Sequence, residues 1–522
     1  MHFFFFPAMS ASLRRLLDAL VIILPPLVIA AVASATKSFW GDEIMTIQFS
    51  AQTGASFLAT LAADYHPPLY FLLVKGWMLL ADDGEVGLRM LQALQGMLLI
   101  GVTLALWRKL LPAARWHAFF LLFVIAPELW LFLPMLRYYT LAATLATALT
   151  LVHVRWLEQP TRALDVWRVV LSLALLFTDY PTSIVIALHL VHTAFVRRDL
   201  LLRHLATTGI TAVAFLPWVL VLLEQLAALH GVERVADLGG GFGAIPLKML
   251  WALYAFVAGE TSMPIDPWVI ATLLALAPVL VIPRLRGRLF TTPGSGLLLL
   301  LVLGGVTFTA LLTTFISRHT SFIYTPSRTL HALPVLFLLL GMWWEHVPVT
   351  WLRRAIVVVL AVCALPSLWN WQANTTFMMP VYASPWKQIV ADTRGGHVLS
   401  DEADCYAWYA ARTPGASVLI NDWDSTRVEA LLADTTARIF SVMTERESTG
   451  PMFEMDLFFR IISVTEPLGR RVYVPYDSRW NMVRTTLLRR NAGEGKFIVH
   501  TLRPISRQHL DSLVGCRDGA PF

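Results

Sequence analysis

Asp64-Tyr65-His66-Pro67-Pro68-Leu69-Tyr70, with the apolar run 71–80 that follows it, decides the topology of this chain. If residues 66–81 cross a membrane, the loop holding Arg108 and Lys109 falls outside and the segment around Arg137 falls inside. Positive charge argues against that crossing, because cytoplasmic loops collect Lys and Arg. With residues 66–81 laid along the surface, alternate loops carry Arg108, Lys109 and Arg115; Arg155, Arg162 and Arg168; Arg197, Arg198 and Arg203; Arg284, Arg286 and Arg288; and Arg353 with Arg354. The opposite loops hold isolated cations only. The stretch therefore reads as a juxtamembrane helix with Pro67 and Pro68 in its first turn, where a missing N–H costs little. Lys75 then sits near the outer interface, and the segment 247–259 reads the same way.

Around that segment, apolar stretches near the ~20 residues a bilayer demands occur at 16–36, 87–107, 116–134, 137–156, 167–179, 181–196, 204–223, 266–283, 296–316, 327–344 and 353–371, eleven spans in all. A chain with 57% hydrophobic and 15% charged residues and a mean hydropathy of +0.62 is too apolar for a pair of soluble domains. Arg14 and Arg15 precede the first span without a clear cleavage site after it, so that span reads as an uncleaved anchor with its N-terminus inside. The net charge of +6 reflects the loop bias and argues against nucleic acid as a partner, which would need a basic face on a soluble element.

Beyond Trp371 the composition changes: Asp, Glu and Arg become frequent and no span follows. Residues 1–371 form a polytopic α-helical membrane domain, and residues 372–522 a soluble α/β domain outside the membrane. Apolar runs at 397–400, 417–420, 438–443, 471–475 and 497–502 alternate with helix-like stretches at 427–433 and 452–464, a pattern that predicts a mostly parallel sheet. No Gly-x-Gly-x-x-Gly follows a strand there, so nucleotide binding has no support. Cys405 and Cys516 lie in this domain and are either a disulfide or two buried thiols, while Cys363 lies in the last span.

Ionisable groups cluster at span ends, where they usually mark a reaction site or a solute path. Asp42 and Glu43 follow Phe39 and Trp40, which read as an interfacial aromatic pair. Neighbours on a helix point about 100° apart, so only one of the two carboxylates faces a given site. The plainer reading makes Asp42 the cap of a helix beginning at Glu43. His66 by the same standard caps the helix after it, and Arg137 is an interfacial arginine whose head reaches for water.

In order and context, Gly41-Asp42-Glu43, His66-Pro67-Pro68-Leu69-Tyr70 and Arg137 with Tyr139 and Leu141 resemble the C-type glycosyltransferases that use lipid-phosphate sugars. The likeness is to the protein O-mannosyltransferases and aminoarabinose transferases (glycosyltransferase family 39-like), over about the first 345 residues. The acidic residue expected before the arginine of the third motif is absent here. Thr178-Asp179-Tyr180, Pro217-Trp218 with Gln225, and Tyr324-Thr325-Pro326-Ser327-Arg328 extend the resemblance.

The resemblance implies an inverting transfer of a sugar from a polyprenyl-phosphate carrier to a glycan, lipid or protein acceptor, on the outer face of a bacterial inner or plasma membrane. It gives Asp42 the catalytic place, in an outer loop 37–86. Glu43, Asp64, His66, Lys75, Arg137, Tyr138, Tyr139, Asp179, Tyr180 and Arg328 become acceptor- or donor-binding candidates, with Arg137 and Arg328 as phosphate ligands. Such a transfer needs a base beside the acceptor and cations at the leaving phosphate. No cofactor is expected: a lone His and Asp do not make a metal site, although some relatives bind a divalent metal. A transporter or lipid-linked-sugar flippase is the alternative, against which stand the lack of an internal repeat and the placement of the polar motifs at one face. The glycine-rich run 238–243 follows no strand and reads as an outer loop rather than a phosphate loop.

Overall fold

The computed structural model describes residues 10–64, 66–111, 118–228, 243–285, 294–316, 324–444, 457, 461–479, 481–482 and 493–505. Its contacts divide the chain into two compact units. One comprises Met1–Thr36, Thr46–Val232 and Ala236–Ala373; the other is chiefly Lys37–Met45 with Asn374–Phe522.

In the first unit seven helices are long and apolar enough to cross a membrane: Ser12–Thr36, Glu85–Leu110, Tyr139–Glu158, Arg198–Gln225, Pro267–Arg284, Ser295–Phe315 and Thr350–Ala373. The chain is an integral membrane protein. The other four expected spans form shorter helices. Proline explains three of them: Pro127 separates Ala118–Val124 from Pro127–Phe132, while 3-10 turns at Pro181–Ser183 and Pro326–Ala332 replace the first turns of Ile184–Val196 and Leu333–Trp344. The fourth, Arg162–Leu176, has 15 residues. Leu69–Ala81 has 13 residues, about 20 Å of helix, short of a bilayer core. Pro68 stands at its N-cap position, so both prolines precede the helix rather than enter its first turn.

Glu85–Leu110 and Tyr139–Glu158 are each 61% buried, against 17–28% for the helices beginning at Ser12, Arg198, Pro267 and Thr350, so those two form the centre of the unit. Small and hydroxyl-bearing residues let Tyr139–Glu158 occupy that place. Ala142, Ala143, Ala146, Thr147 and Thr150 are buried, and the hydroxyls of Thr144, Thr147 and Thr150 donate to carbonyls four residues back at 2.7–2.8 Å. A second close approach involves Gly259, which ends Ala244–Ala258 at φ +80°: a Cβ there would stand 2.5 Å from Cβ of Pro127.

The second unit is built on five strands, β1 (His397–Ser400), β2 (Val418–Leu419), β3 (Ile439–Thr444), β4 (Thr465–Val472) and β5 (Phe497–Pro504), in the order β2-β1-β3-β5-β4. β1 is parallel to β2 and β3, but β5 is antiparallel to β3 and β4. The sheet is therefore mixed rather than mostly parallel. β4 also starts at Thr465 instead of near 471, with an irregularity between Pro467 and Gly469. As an edge strand it pairs on one side only, which tolerates Pro467 and the exposed residues that hid it from an apolar pattern. The helix Ser425–Ala433, N-capped by Asp424, packs Val428 and Leu431 against Leu399, Ile439 and Leu502. Most of the stretch 452–464 lies outside the described residues, as does Cys516. Cys405 carries a free thiol 3.5 Å from Oε2 of Glu402, and burial followed by that carboxylate raises its pKa.

Candidate active site

His66 is the centre of a polar cluster in the first unit. Nδ1 of this 3%-exposed side chain lies 2.6 Å from Oδ2 of Asp64, and Nε2 lies 2.9 Å from Nη2 of Arg137. A guanidinium only donates, so Nε2 must accept and Nδ1–H must donate to Asp64, which fixes a neutral imidazole in one tautomer. Burial lowers the His66 pKa against the pull of Asp64, and Arg137 and Arg328 add to the lowering. Arg137, 2% exposed, also donates from Nη1 to Oγ1 of Thr46 at 3.1 Å and lies 5.4 Å from the Tyr138 ring centroid. Arg328 enters from the turn before Leu333–Trp344, donating from Nη1 to Oη of Tyr138 at 3.2 Å. The Tyr138 ring stands 5.4 Å from that of His66, and Tyr139 packs between Tyr138 and Phe132.

A second chain of contacts holds the His66 backbone. Trp218 Nε1 donates to Oη of Tyr180 at 2.7 Å, Tyr180 donates to Oε1 of Gln225 at 2.8 Å, and Gln225 Nε2 donates to the carbonyls of Leu61 at 2.7 Å and His66 at 3.3 Å. The N–H of Leu69 donates to the Phe177 carbonyl at 2.8 Å. Pro68 holds the N-cap position of the Leu69–Ala81 helix, and the His66 ring nitrogens face Asp64 and Arg137.

Asp179 accepts from the N–H and hydroxyl of Thr182, which closes the turn at Pro181–Ser183, and Arg328 and His66 act on it electrostatically. Two expectations change. Lys75 is not brought to His66. Its ammonium donates to the carbonyl of Ser50 at 3.1 Å and to that of Gln52, and lies 5.2 Å from the Phe57 ring centroid, a cation closing the C-terminal end of the Gly41–Ala51 helix. That helix starts two residues before Glu43, and the capping carboxylate is not Asp42. Glu43, 2% exposed, accepts the N–H of Trp40 at 3.2 Å, and Asp42 stands half-buried in the first turn.

The sequence did not single out Thr46 as an anchor for Arg137. It also missed a second polar cluster in the same unit, on Tyr139–Glu158, Arg162–Leu176, Ile184–Val196 and Leu201–Ala228. There the ring of His153 stacks on that of His189 at 4.2 Å, and its Nε2 meets Nδ1 of His192 at 3.2 Å. His204 Nδ1 pairs with Thr193 at 2.7 Å, and the Arg168 guanidinium lies 4.0 Å from the Trp156 ring centroid. Arg168, His189, His204, Thr207 and Thr211 line a small cavity with room for about one water. Among the described residues no three His, Cys, Asp or Glu side chains are arranged to hold a metal ion. Tyr65 and the run 238–242 lie outside those residues.

No family model matches the chain, and no curated protein does. Among solved structures it is similar to ArnT from Cupriavidus metallidurans in the apo state, at 14% identity and a TM-score of 0.52 over 94% of this chain and 98% of that one. The same protein bound to undecaprenyl phosphate aligns over the same shares at 14% identity and a TM-score of 0.50. The oligosaccharyltransferase AglB from Archaeoglobus fulgidus, in complex with an inhibitory peptide and a dolichol-phosphate, aligns more loosely: 10% identity, 83% of this chain, 70% of that one and a TM-score of 0.44. A membrane unit of this helix order, followed by a sheet-containing C-terminal unit and aligned with ArnT over nearly the full length of both chains, has the fold of the C-type membrane glycosyltransferases.

Proposed function

We propose that the chain transfers a sugar from a polyprenyl-phosphate carrier to an acceptor on the outer face of the membrane, with inversion at the anomeric carbon. The observation that carries this reading is the convergence of Arg137 and Arg328 on Tyr138 at the end of the Tyr139–Glu158 helix. Arg137 is fixed there by Thr46 and by a neutral His66, groups that orient a guanidinium without cancelling its charge. A departing phosphate takes up negative charge, and two preset guanidinium groups stabilise it. Asp42 is assigned as the base that takes the acceptor's proton. The ArnT structure with undecaprenyl phosphate supports a lipid-phosphate donor, and the transfer of a sugar to an acceptor is read from the resemblance.

The test uses purified protein, a labelled polyprenyl-phosphate sugar and acceptor-containing membrane extract, with acceptor-dependent release of free carrier phosphate as the readout. Asp42→Asn keeps the size but cannot take the proton, and is expected to lower turnover roughly 10²–10⁴-fold while leaving the protein folded. Glu43→Gln should be milder, and a chelator should leave turnover unchanged. Near-wild-type turnover by Asp42→Asn removes the base from this reading. Movement of intact lipid-linked sugar without phosphate release would point to the flippase instead.

A further inference from the structure

Assigning Asp42 as a base leaves open what holds its backbone. The preceding residues are not a free loop. Lys37, Ser38 and Phe39 are 7%, 6% and 0% exposed, interior to the second unit. The N–H of Phe39 donates to Oη of Tyr409 at 2.6 Å, and its ring meets that of Trp408 edge-on at 5.4 Å. Lys387 holds the same stretch twice: its ammonium donates to the Lys37 carbonyl at 2.7 Å, and its backbone N–H donates to Oγ of Ser38 at 3.0 Å. Trp40 meets the ring of Tyr382 edge-on at 5.4 Å, and the Lys37 ammonium bonds the side chain of Asn374.

We propose that Tyr409 and Lys387 are positioning residues for the transfer: by fixing the backbone of residues 37–40 they fix where the Asp42 carboxylate points. The C-terminal unit is then part of the catalytic apparatus and not only a brace. The physical reason is local. Residues 37–39 are not helical, so their backbone N–H and C=O groups must find partners outside a helical turn when buried. Tyr409 and Lys387 supply those partners from elements far along the chain. Asp42 is two residues past the anchored stretch, in the first helical turn, so a shift of that stretch moves the carboxylate with it. Misplacement of a reacting group by about 1 Å can cost 10²-fold in rate.

This inference rests on Asp42 being the base, and the experiment separates the two. Tyr409→Phe keeps the ring and removes only the accepting oxygen. It is expected to lower kcat about tenfold, to leave undecaprenyl-phosphate affinity within about twofold of wild type, and to add nothing further in the Asp42→Asn background. Hydrogen exchange at the Phe39 amide should quicken. Lys387→Met tests the second anchor in the same way and carries the test if Tyr409→Phe does not fold. If Asp42→Asn is inactive while both anchor variants turn over like wild type, the positioning role is overturned and the base survives. A loss of kcat, donor affinity and melting temperature in parallel also overturns it, because that is the signature of a merely structural contact. If Asp42→Asn stays active, the base itself has failed.

Discussion

Two polar clusters share the Tyr139–Glu158 helix. One is at Tyr138 and His66, the other at His153, fourteen residues on from Tyr139 and so about 21 Å along the axis. Both bury an arginine beside imidazoles. In the first, a carboxylate orients the imidazole, the imidazole orients Arg137, and Arg328 comes in against the adjacent tyrosine. In the second, Thr150 donates to the Ala146 carbonyl and so accepts from Nε2 of His189 at 3.2 Å, while Thr193 donates to the His189 carbonyl and so accepts from Nδ1 of His204. Those imidazoles pair with hydroxyls of neighbouring helices, each hydroxyl itself bonded to its own helix, and the face of Arg168 is spent on Trp156. The difference teaches what a buried histidine signifies in this membrane unit. Imidazoles tied to hydroxyls that bond their own helix close packing, whereas an imidazole placed between a carboxylate and a guanidinium sets the direction of a charge.

The largest effect that would test this contrast is on donor binding. Arg137→Ala should weaken binding of undecaprenyl phosphate about ten- to a hundredfold, the worth of a charge-assisted contact. Arg328→Lys should lose less, because it keeps the charge and gives up the planar fork. Measured affinity unchanged in both variants, with folding intact, would leave the first cluster as ordinary packing too.

A smaller effect should come from pH. A base whose pKa is lowered on folding is protonated first in the unfolded chain. His66 should therefore make stability fall as pH drops below its ordinary value of about 6.5, and continue to fall until the folded imidazole also takes a proton. Carrier-phosphate affinity should stay level through that window and fall only at lower pH, when a second N–H turns against Arg137. His66→Gln should flatten the stability profile below pH 6.5, and an unchanged profile would contradict the assigned tautomer.

The smallest effect on the reaction belongs to the other cluster. His204→Ala should leave donor affinity and turnover as in wild type and destabilise the protein by about 1–3 kcal/mol, because Thr193 loses its donor and a cavity opens. A fall in donor affinity as large as that of Arg137→Ala would break the comparison outright.

The membrane unit was legible because hydropathy is read along the chain, and it located the seven long helices and the four shorter ones among the expected spans, though not Gly54–Ala63. The proline-opened turns before Ile184 and Leu333 shortened two of them without hiding either. The sheet was less legible: β4 is an edge strand with a proline and exposed polar residues, so its pairing is decided by β5 and not by its own pattern. At the site, motifs in order named His66, Arg137 and Arg328, but no sequence pattern could show that Asp64 fixes the His66 tautomer or that Thr46 steadies Arg137. Phe39 was the clearest misreading. As an aromatic beside a span it resembled part of an interfacial belt, yet it is fully buried against Trp408 within the second unit. Lys75 misled in the same way, since its partners are carbonyls at a helix end and carbonyls leave no trace in composition.

The close approach of Gly259 to Pro127 sets a limit on how this chain can vary. A positive φ there already disfavours any side chain, and the proline leaves no room for even a methyl group. The separation of two membrane helices is thus fixed by an atom that is missing, and it would have to be conceded before any other residue could be tried at that position. Variation in the first unit should accordingly be freest on the lipid-facing helices and closely restricted at this residue.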